Sequence, residues 1–332
     1  MITAGSLEFP LWSFSLTLIV VGLVLTAPVS YRLAKAGWTC RAPRAALVLW
    51  QALCLAAGFS VVAGLVLLAV EPLGHTILGA AWNWFGALLT GSLSIPLWRW
   101  ACGLAAATIA IVLLVVLGRT AALTVRRRRA HRLVLDLLTG PGAVAATGQR
   151  PRNGLATARN VRILDHAAAI AYTIPGWHSR VVLSAGLVDL LTDNELSAVV
   201  EHERAHLRAR HDLLVLPFQA WAIALGRIPG VRLAGGSVAE LTEMMADDVA
   251  AARTSRSVLA SALAKVALSG PATPTSPQRL ADSPAIAGTA VADRVHRLMQ
   301  PRPLAASRLA LVGLLATALL AIPASVLLLH WT

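Results

Sequence analysis

The sequence predicts an α+β domain inserted into an all-α membrane bundle of four transmembrane helices, three before the domain and one after it. Three observations carry that fold class. The chain of 332 residues is 57% hydrophobic and only 14% charged, with a mean hydropathy of +0.68, higher than a water-soluble domain needs. Four uncharged runs meet or approach the length that crosses about 30 Å of hydrocarbon at 1.5 Å rise per residue. Between the third and fourth runs, short β-branched segments give way to capped helical periodicity.

The runs are 11–30, 45–70, 101–118 and 309–329. The first does not read as a cleaved leader, because no Lys or Arg precedes Arg32 to form a basic start. Charge bias sets the count of spans, since cytoplasmic flanks collect Lys and Arg. With four spans and the N-terminus outside, Arg32, Lys35, Arg41, Arg44 and the 24 basic residues of 119–308 lie inside, leaving one of 29, Arg99, outside. A fifth uncharged run, 76–98, would export Arg126–Arg129 and the domain behind them if it spanned. It therefore reads as part of an outer loop, 71–100, in or dipping into the interface where Trp82, Trp84, Trp98 and Trp100 are at home; a fifth span is the alternative. The division is 1–118 for three spans and the outer loop, 119–303 for a cytoplasmic domain, and 304–332 for the fourth span.

The net charge of +13 fits basic flanks meeting anionic inner-leaflet lipid. Direct nucleic-acid binding is not expected, because no helix-turn-helix pattern or basic–aromatic interleaving accompanies the charge. Cys40, Cys54 and Cys102 form neither a metal nor a disulfide pattern and read as packing residues.

The domain opens with a basic helix over 120–138, continuing from the third span, then a loop at 140–154. Strands are expected at Val161–Leu164, Ala169–Ile174 and Val181–Leu183, with a Pro175-Gly176 turn before the last. Helices follow Leu187. A Pro/Ser/Thr-rich loop at 269–284 precedes a final helix, 290–299, that leads into the last span.

The chemistry sits in VVEHERAHLRARHDLL, 199–214. Thr192 with Glu195 forms a capping box that starts a helix. On that helix His202 and His206 are i and i+4, so two imidazoles share one face and can meet one ion. Glu203 projects beside them, near enough to act as general base without being a ligand. This is the H-E-x-x-H arrangement of zinc peptidases. A third ligand from a downstream His is excluded, since Ala209 and Asp212 stand where the metzincin pattern needs Gly and His. A Glu on a second helix is the other solution. In SVAELTEMMADDVAAAR, 237–253, Ser237 and Glu240 read as a capping box, which places Glu243 one turn into a helix as third ligand. Asp247, at i+4 from it, would accept the second ring N–H of a ligand His. Asp248 faces about 100° away, and His211, about 140° around the helix from His206, reads as a surface or inter-helix contact. Arg294 and His296, from the last helix, and Tyr172 are candidates for contact with the oxyanion or substrate.

With ILDHAAAIAYTIPGWHSRVVLSAGLVDLLTDNELSAVVEHERAHL at 163–207 and E-M-M-A-D at 243–247, the chain resembles gluzincin membrane peptidases. The second motif is shared by the HtpX type and the BlaR/MecR antirepressor type. Three spans before the metal helix and one after it resemble the BlaR/MecR arrangement. That resemblance implies a zincin-like metalloprotease fold with one Zn2+ per chain on His202, His206 and Glu243, and Glu203 as base. It implies that an edge strand at Ala169, Ile170 and Ala171 holds the substrate extended. It also implies a cytoplasmic protein substrate, typically a winged-helix repressor whose cleavage relieves repression. The penicillin-binding sensor domain of that family is not expected, because the chain stops at His330-Trp331-Thr332. Membrane-protein quality control of the HtpX kind, or a signalling scaffold with a structural metal, are the alternatives. Assembly as a homo-oligomer stays open.

Overall fold

The computed structural model describes residues 11–70, 77–90, 96–138, 161–174, 179–269 and 284–328. The loop expected at 140–154, the Pro175-Gly176 turn, nearly all of the 269–284 loop and the chain's last four residues lie outside the described residues.

The first apolar run is a helix to Val24 (α1, Leu11–Val24), a π-helical stretch over Leu25–Val29, and a further helix (α2, Ser30–Ala34). Pro28 has no N–H to give, and the wider π turn accommodates it. The hydroxyl of Thr26 donates to the carbonyl of Gly22 at 2.7 Å, and that of Ser30 to Leu25 at 2.8 Å. The second run is α3 (Pro43–Val70). It packs against α1 so closely that a Cβ on Gly64 would lie 2.7 Å from the Ser15 carbonyl, the small-residue contact that apolar helices use.

Between these spans and the next lies α4 (Ile77–Thr90), a 14-residue helix where the sequence reading has a loop. At about 21 Å it is shorter than a hydrocarbon core. The third run and the basic segment behind it form one 42-residue helix, α5 (Leu97–Leu138). Among the described residues, 12–34, 43–70 and 97–126 are long and apolar enough to cross a membrane. The final run is α12 (Ala306–Leu328), packed on α3, with a shorter apolar stretch over 306–321.

The sheet has three strands, β1 (Val161–Leu164), β2 (Ala171–Ile174) and β3 (Arg180–Ser184), in the order β1-β3-β2. β1 runs parallel to β3, and β2 antiparallel, with Ala171 opposite Leu183 and Tyr172 opposite Val182. β2 is thus an edge strand. One face, carrying Val181 and Leu183, packs on a helix through Leu196, Val199 and Val200. That helix is α7 (Asp193–Ala209), reached through the short α6 (Ala185–Leu190).

After α7 come α8 (His211–Leu225), α9 (Pro229–Arg253), α10 (Arg256–Leu268) and α11 (Pro284–Met299). The helix start expected at Ser237 is corrected here. α9 begins eight residues earlier, at Pro229, which is suited to a first helical position. Val231, Ala234 and Val238 recur at i, i+3 and i+7 and are fully buried, and that burial outweighs the helix penalty of Gly235-Gly236.

What they bury against positions the site. α8 and the first half of α9 share one core with the apolar helices: Phe218, Trp221, Val231 and Val238 cluster with Leu25, Leu33, Trp50 and Leu53. Trp50 meets Phe218 edge-on, with ring centroids 6.1 Å apart. Gly230 approaches the π stretch so tightly that a Cβ there would sit 2.6 Å from the Ala27 carbonyl. The amide of Gln51 donates to the carbonyl of Leu214 at 2.8 Å, satisfying α8 near Pro217.

Candidate metal centre

α7 is fixed at its start by the expected cap. The Thr192 amide donates to Glu195 Oε2 at 2.9 Å, and the Glu195 amide donates back to the Thr192 hydroxyl at 3.5 Å. Ser261 and Lys265 of α10 also donate to Glu195, at 2.6 and 2.8 Å. Burial opposes the carboxylate charge, but these donors prevail and hold its pKa at about 2.

Ten residues on, the two histidines share the inner face of α7. His202 Nε2 lies 3.2 Å from His206 Nε2. Glu243, on α9, closes the triangle, with Oε2 3.5 Å from His202 Nε2 and Oε1 3.6 Å from His206 Nε2. The fit to a metal can be tested on these distances. Tetrahedral ligands bonded at about 2.0–2.1 Å stand roughly 3.3–3.4 Å from one another. Two imidazole nitrogens and one carboxylate at 3.2–3.6 Å therefore suit a single zinc ion.

Behind the triangle, Asp247 Oδ1 lies 3.0 Å from His202 Nδ1. Their alignment falls short of a good hydrogen bond, so the attraction is chiefly electrostatic. Arg294 of α11 donates twice to Asp247, from Nε and Nη2, both at 2.7 Å, and its Nη1 stands 3.1 Å from Glu243 Oε2. The sequence reading offers Arg294 as a contact for the oxyanion or substrate; in the structure its guanidinium is turned onto the carboxylates of Asp247 and Glu243. Arg297, one turn on, donates to Asp248 at 2.7 Å and to the Cys40 carbonyl at 2.6 Å. That ties α11 both to α9 and to the turn between the first two apolar helices.

The charges divide sharply. Burial disfavours a charged His202, but Asp247 and Glu243 overcome it and raise its pKa to about 9. Burial lowers His206 to about 3. Burial also works against Glu243, yet Arg294 and His202 hold it well below the usual carboxylate range. With its pKa raised, His202 carries a proton that a zinc ion bound by the three residues would have to displace. The sign follows. Lowering the pH below about 9 favours the protonated, metal-free form, and zinc affinity falls about tenfold per pH unit. Chelator competition at pH 6, 7 and 8 measures that slope.

Other expected contacts are placed differently. Glu203 is half-buried on α7 beside His202, and its charge interacts with Arg294. Tyr172 clusters with Val182 and Ile174, on the sheet face opposite the one that packs on α7. Alternation along β2 turns it away from the triangle, so it is not placed to stabilise an oxyanion there. His296 is exposed and two residues, about 200°, around α11 from Arg294, so it too faces elsewhere. Ala169 and Ala171 pack on the core that includes α7. Ile170 pairs with Ser184, each amide donating at 2.9 Å.

Of the two readings of His211, surface or inter-helix contact, the structure shows the second, with His206 of α7 as the partner. His211 is 3% exposed, with Nδ1 3.0 Å from His206 Nδ1, and burial lowers its pKa to about 4. A continuous helix would put it about 140° from His206. Instead Arg210 adopts φ 48, ψ 46, which ends α7, starts α8 and swings His211 back against the metal face. The Arg-rich stretch before it carries no glycine or proline to signal that break.

Residues 143–234 match the model of Peptidase family M48. The match supports a zincin-type metallopeptidase, a family whose members are typically zinc-dependent. No curated protein and no solved structure matches the chain.

Proposed function

We propose that this chain is an integral-membrane zinc endopeptidase that cleaves a cytoplasmic regulatory protein, with a DNA-binding repressor as the substrate class. The observation that carries the reading is the convergence of Glu243 of α9 on His202 and His206 of α7 within 3.2–3.6 Å, with Glu203 beside the histidines on α7. A zinc ion held by the three would leave one position for water, lower its pKa to about 7 and polarise a peptide carbonyl. Glu203 takes the proton of the attacking water and returns it to the leaving amine. Asp247 and Arg294 orient His202 and Glu243 from behind. The open edge of β2, lying against α7, would take an extended peptide by strand addition.

The three long apolar helices support a location in the membrane, and the basic residues gathered over 119–308 support a cytoplasmic peptidase side with both termini outside. Three such helices before the metal helix favour the BlaR/MecR-like arrangement. The HtpX-like reading is equally compatible with the family match, and one feature favours it: α8, directly after the metal helix, is apolar and packs against α5. Its 15 residues reach about 22 Å, short of a full crossing.

The experiment compares cellular proteins trimmed by the wild type and by Glu203→Gln. The variant should keep its zinc and lose turnover by about 10²–10⁴-fold. A trimmed repressor supports the regulatory reading, and trimmed misfolded membrane proteins the quality-control one. Equal cleavage by both chains would leave the metal as a structural one.

A further inference from the structure

We infer that His211 is a positioning residue for the metal centre: its Nδ1 accepts the Nδ1–H of His206 and so presents the His206 Nε2 lone pair to the metal. The inference rests on the metal-centre reading above and extends it to a residue outside the H-E-x-x-H pattern.

Three observations carry it. First, His206 directs Nε2 at His202 Nε2 and Glu243, 3.2 and 3.6 Å away, so in the ligating form its proton sits on Nδ1. The atom facing that proton is His211 Nδ1, at 3.0 Å, with the rings edge-on at 88° and centroids 4.8 Å apart. Second, the fold keeps two unfavourable features to hold this contact. Arg210 is the one non-glycine residue with positive φ among the described residues, a conformation that side chains disfavour. His211 Nε2, the nitrogen left with the proton, is buried with no hydrogen-bond partner among the described residues. A side chain needed only for packing would be better served by an apolar ring, since a buried unpaired donor is unfavourable. Third, the arrangement mirrors the other ligand. His202 Nδ1 has Asp247 at 3.0 Å, and His206 Nδ1 has His211. Each ligand imidazole thus has a polar group beside its second nitrogen, in the place from which tautomer and ring orientation of metal-binding histidines are fixed. The two supports differ in charge. Asp247 is an anion, whereas His211 is a neutral acceptor, so the site gains orientation at His206 without a further negative charge.

The test uses the full-length protein in detergent. Zinc affinity is measured by chelator competition, and the ligand field from the visible bands of the cobalt-substituted protein. His211→Phe keeps the ring volume and removes the acceptor. It should weaken zinc binding about 10–100-fold and shift the cobalt bands, while the metal-free protein melts at or above the wild-type temperature. His211→Asn keeps an acceptor close to the Nδ1 position and should return affinity to within about threefold of wild type. Wild-type affinity in His211→Phe, or an equal loss in both variants, overturns the inference. Should His211→Phe not fold, histidine-selective ¹⁵N NMR of the zinc-loaded wild type decides. An exchange-protected proton on His206 Nδ1 supports the assignment, and a freely exchanging one overturns it. The outcomes separate the two readings. A wild type that takes up no zinc ends the metal-centre reading itself, whereas a zinc-binding wild type matched by His211→Phe ends only the role of His211.

Discussion

Arg294→Met is expected to destabilise the metal-free protein by about 3–5 kcal/mol, the range for removing one partner of a buried ion pair. Arg294 is 5% exposed and Asp247 fully buried, and the two share a bidentate contact at 2.7 and 2.7 Å. Without the guanidinium, Asp247 stands as a buried anion and Glu243 as a partly buried one, with the protonated His202 beside both. A divalent cation supplies the missing positive charge beside Glu243. Zinc should therefore restore part of the loss, and the gap between wild type and variant should narrow on loading. Replacing both partners, as Arg294→Met with Asp247→Leu, should recover part of the stability, because the fully buried anion is removed and Glu243 keeps the protonated His202 beside it. The recovered protein should still bind zinc more weakly, since His202 has lost the group beside Nδ1. Thermal melts in detergent, with and without zinc, read all four cases. A simple packing role for Arg294 predicts no zinc-dependent narrowing.

Glu243→Ala is expected to remove the third ligand and lower zinc affinity by more than about a hundredfold, beyond the 10–100-fold typical of groups behind the ligands. Proteolysis should fall to background. The fold should persist, because the α9 residues that hold the helix against the apolar bundle, Val231, Ala234 and Val238, lie about one and a half to three turns away and are fully buried. Glu243→Asp is the sharper variant. It keeps the charge that Arg294 faces at 3.1 Å but shortens the reach by one methylene, so affinity should drop while stability stays near wild type. Chelator competition against melting temperature separates the two effects.

The grouping of His202, His206 and Glu243 is legible in the sequence because its signals are local. The Thr192–Glu195 box, the i, i+4 spacing of His202 and His206, and the same spacing of Glu243 and Asp247 each depend on helix geometry alone. That local reading holds even where its frame fails: α9 starts at Pro229 rather than Ser237, yet Glu243 and Asp247 keep one face. What escapes the sequence depends on distant or unsignalled geometry. Arg294 meets Asp247 across 47 residues, and no local pattern pairs them. The left-handed Arg210 redirects His211 through a single φ that residue type does not announce. The face that Tyr172 takes follows from strand register and from β3 lying between β1 and β2, which spacing along the chain does not determine. The merging of α8 and half of α9 with the apolar helices in one core is also not visible in the composition of 119–303, whose charges suggest a domain standing apart.

X-ray absorption at the zinc edge of the purified full-length protein decides whether His202, His206 and Glu243 hold zinc. One zinc per chain is expected, with two imidazole nitrogens and the remaining contacts from oxygen, at about 2.0–2.2 Å. A sulfur scatterer at about 2.3 Å, which would bring in Cys40, Cys54 or Cys102, or a protein that binds no stoichiometric zinc, would contradict it.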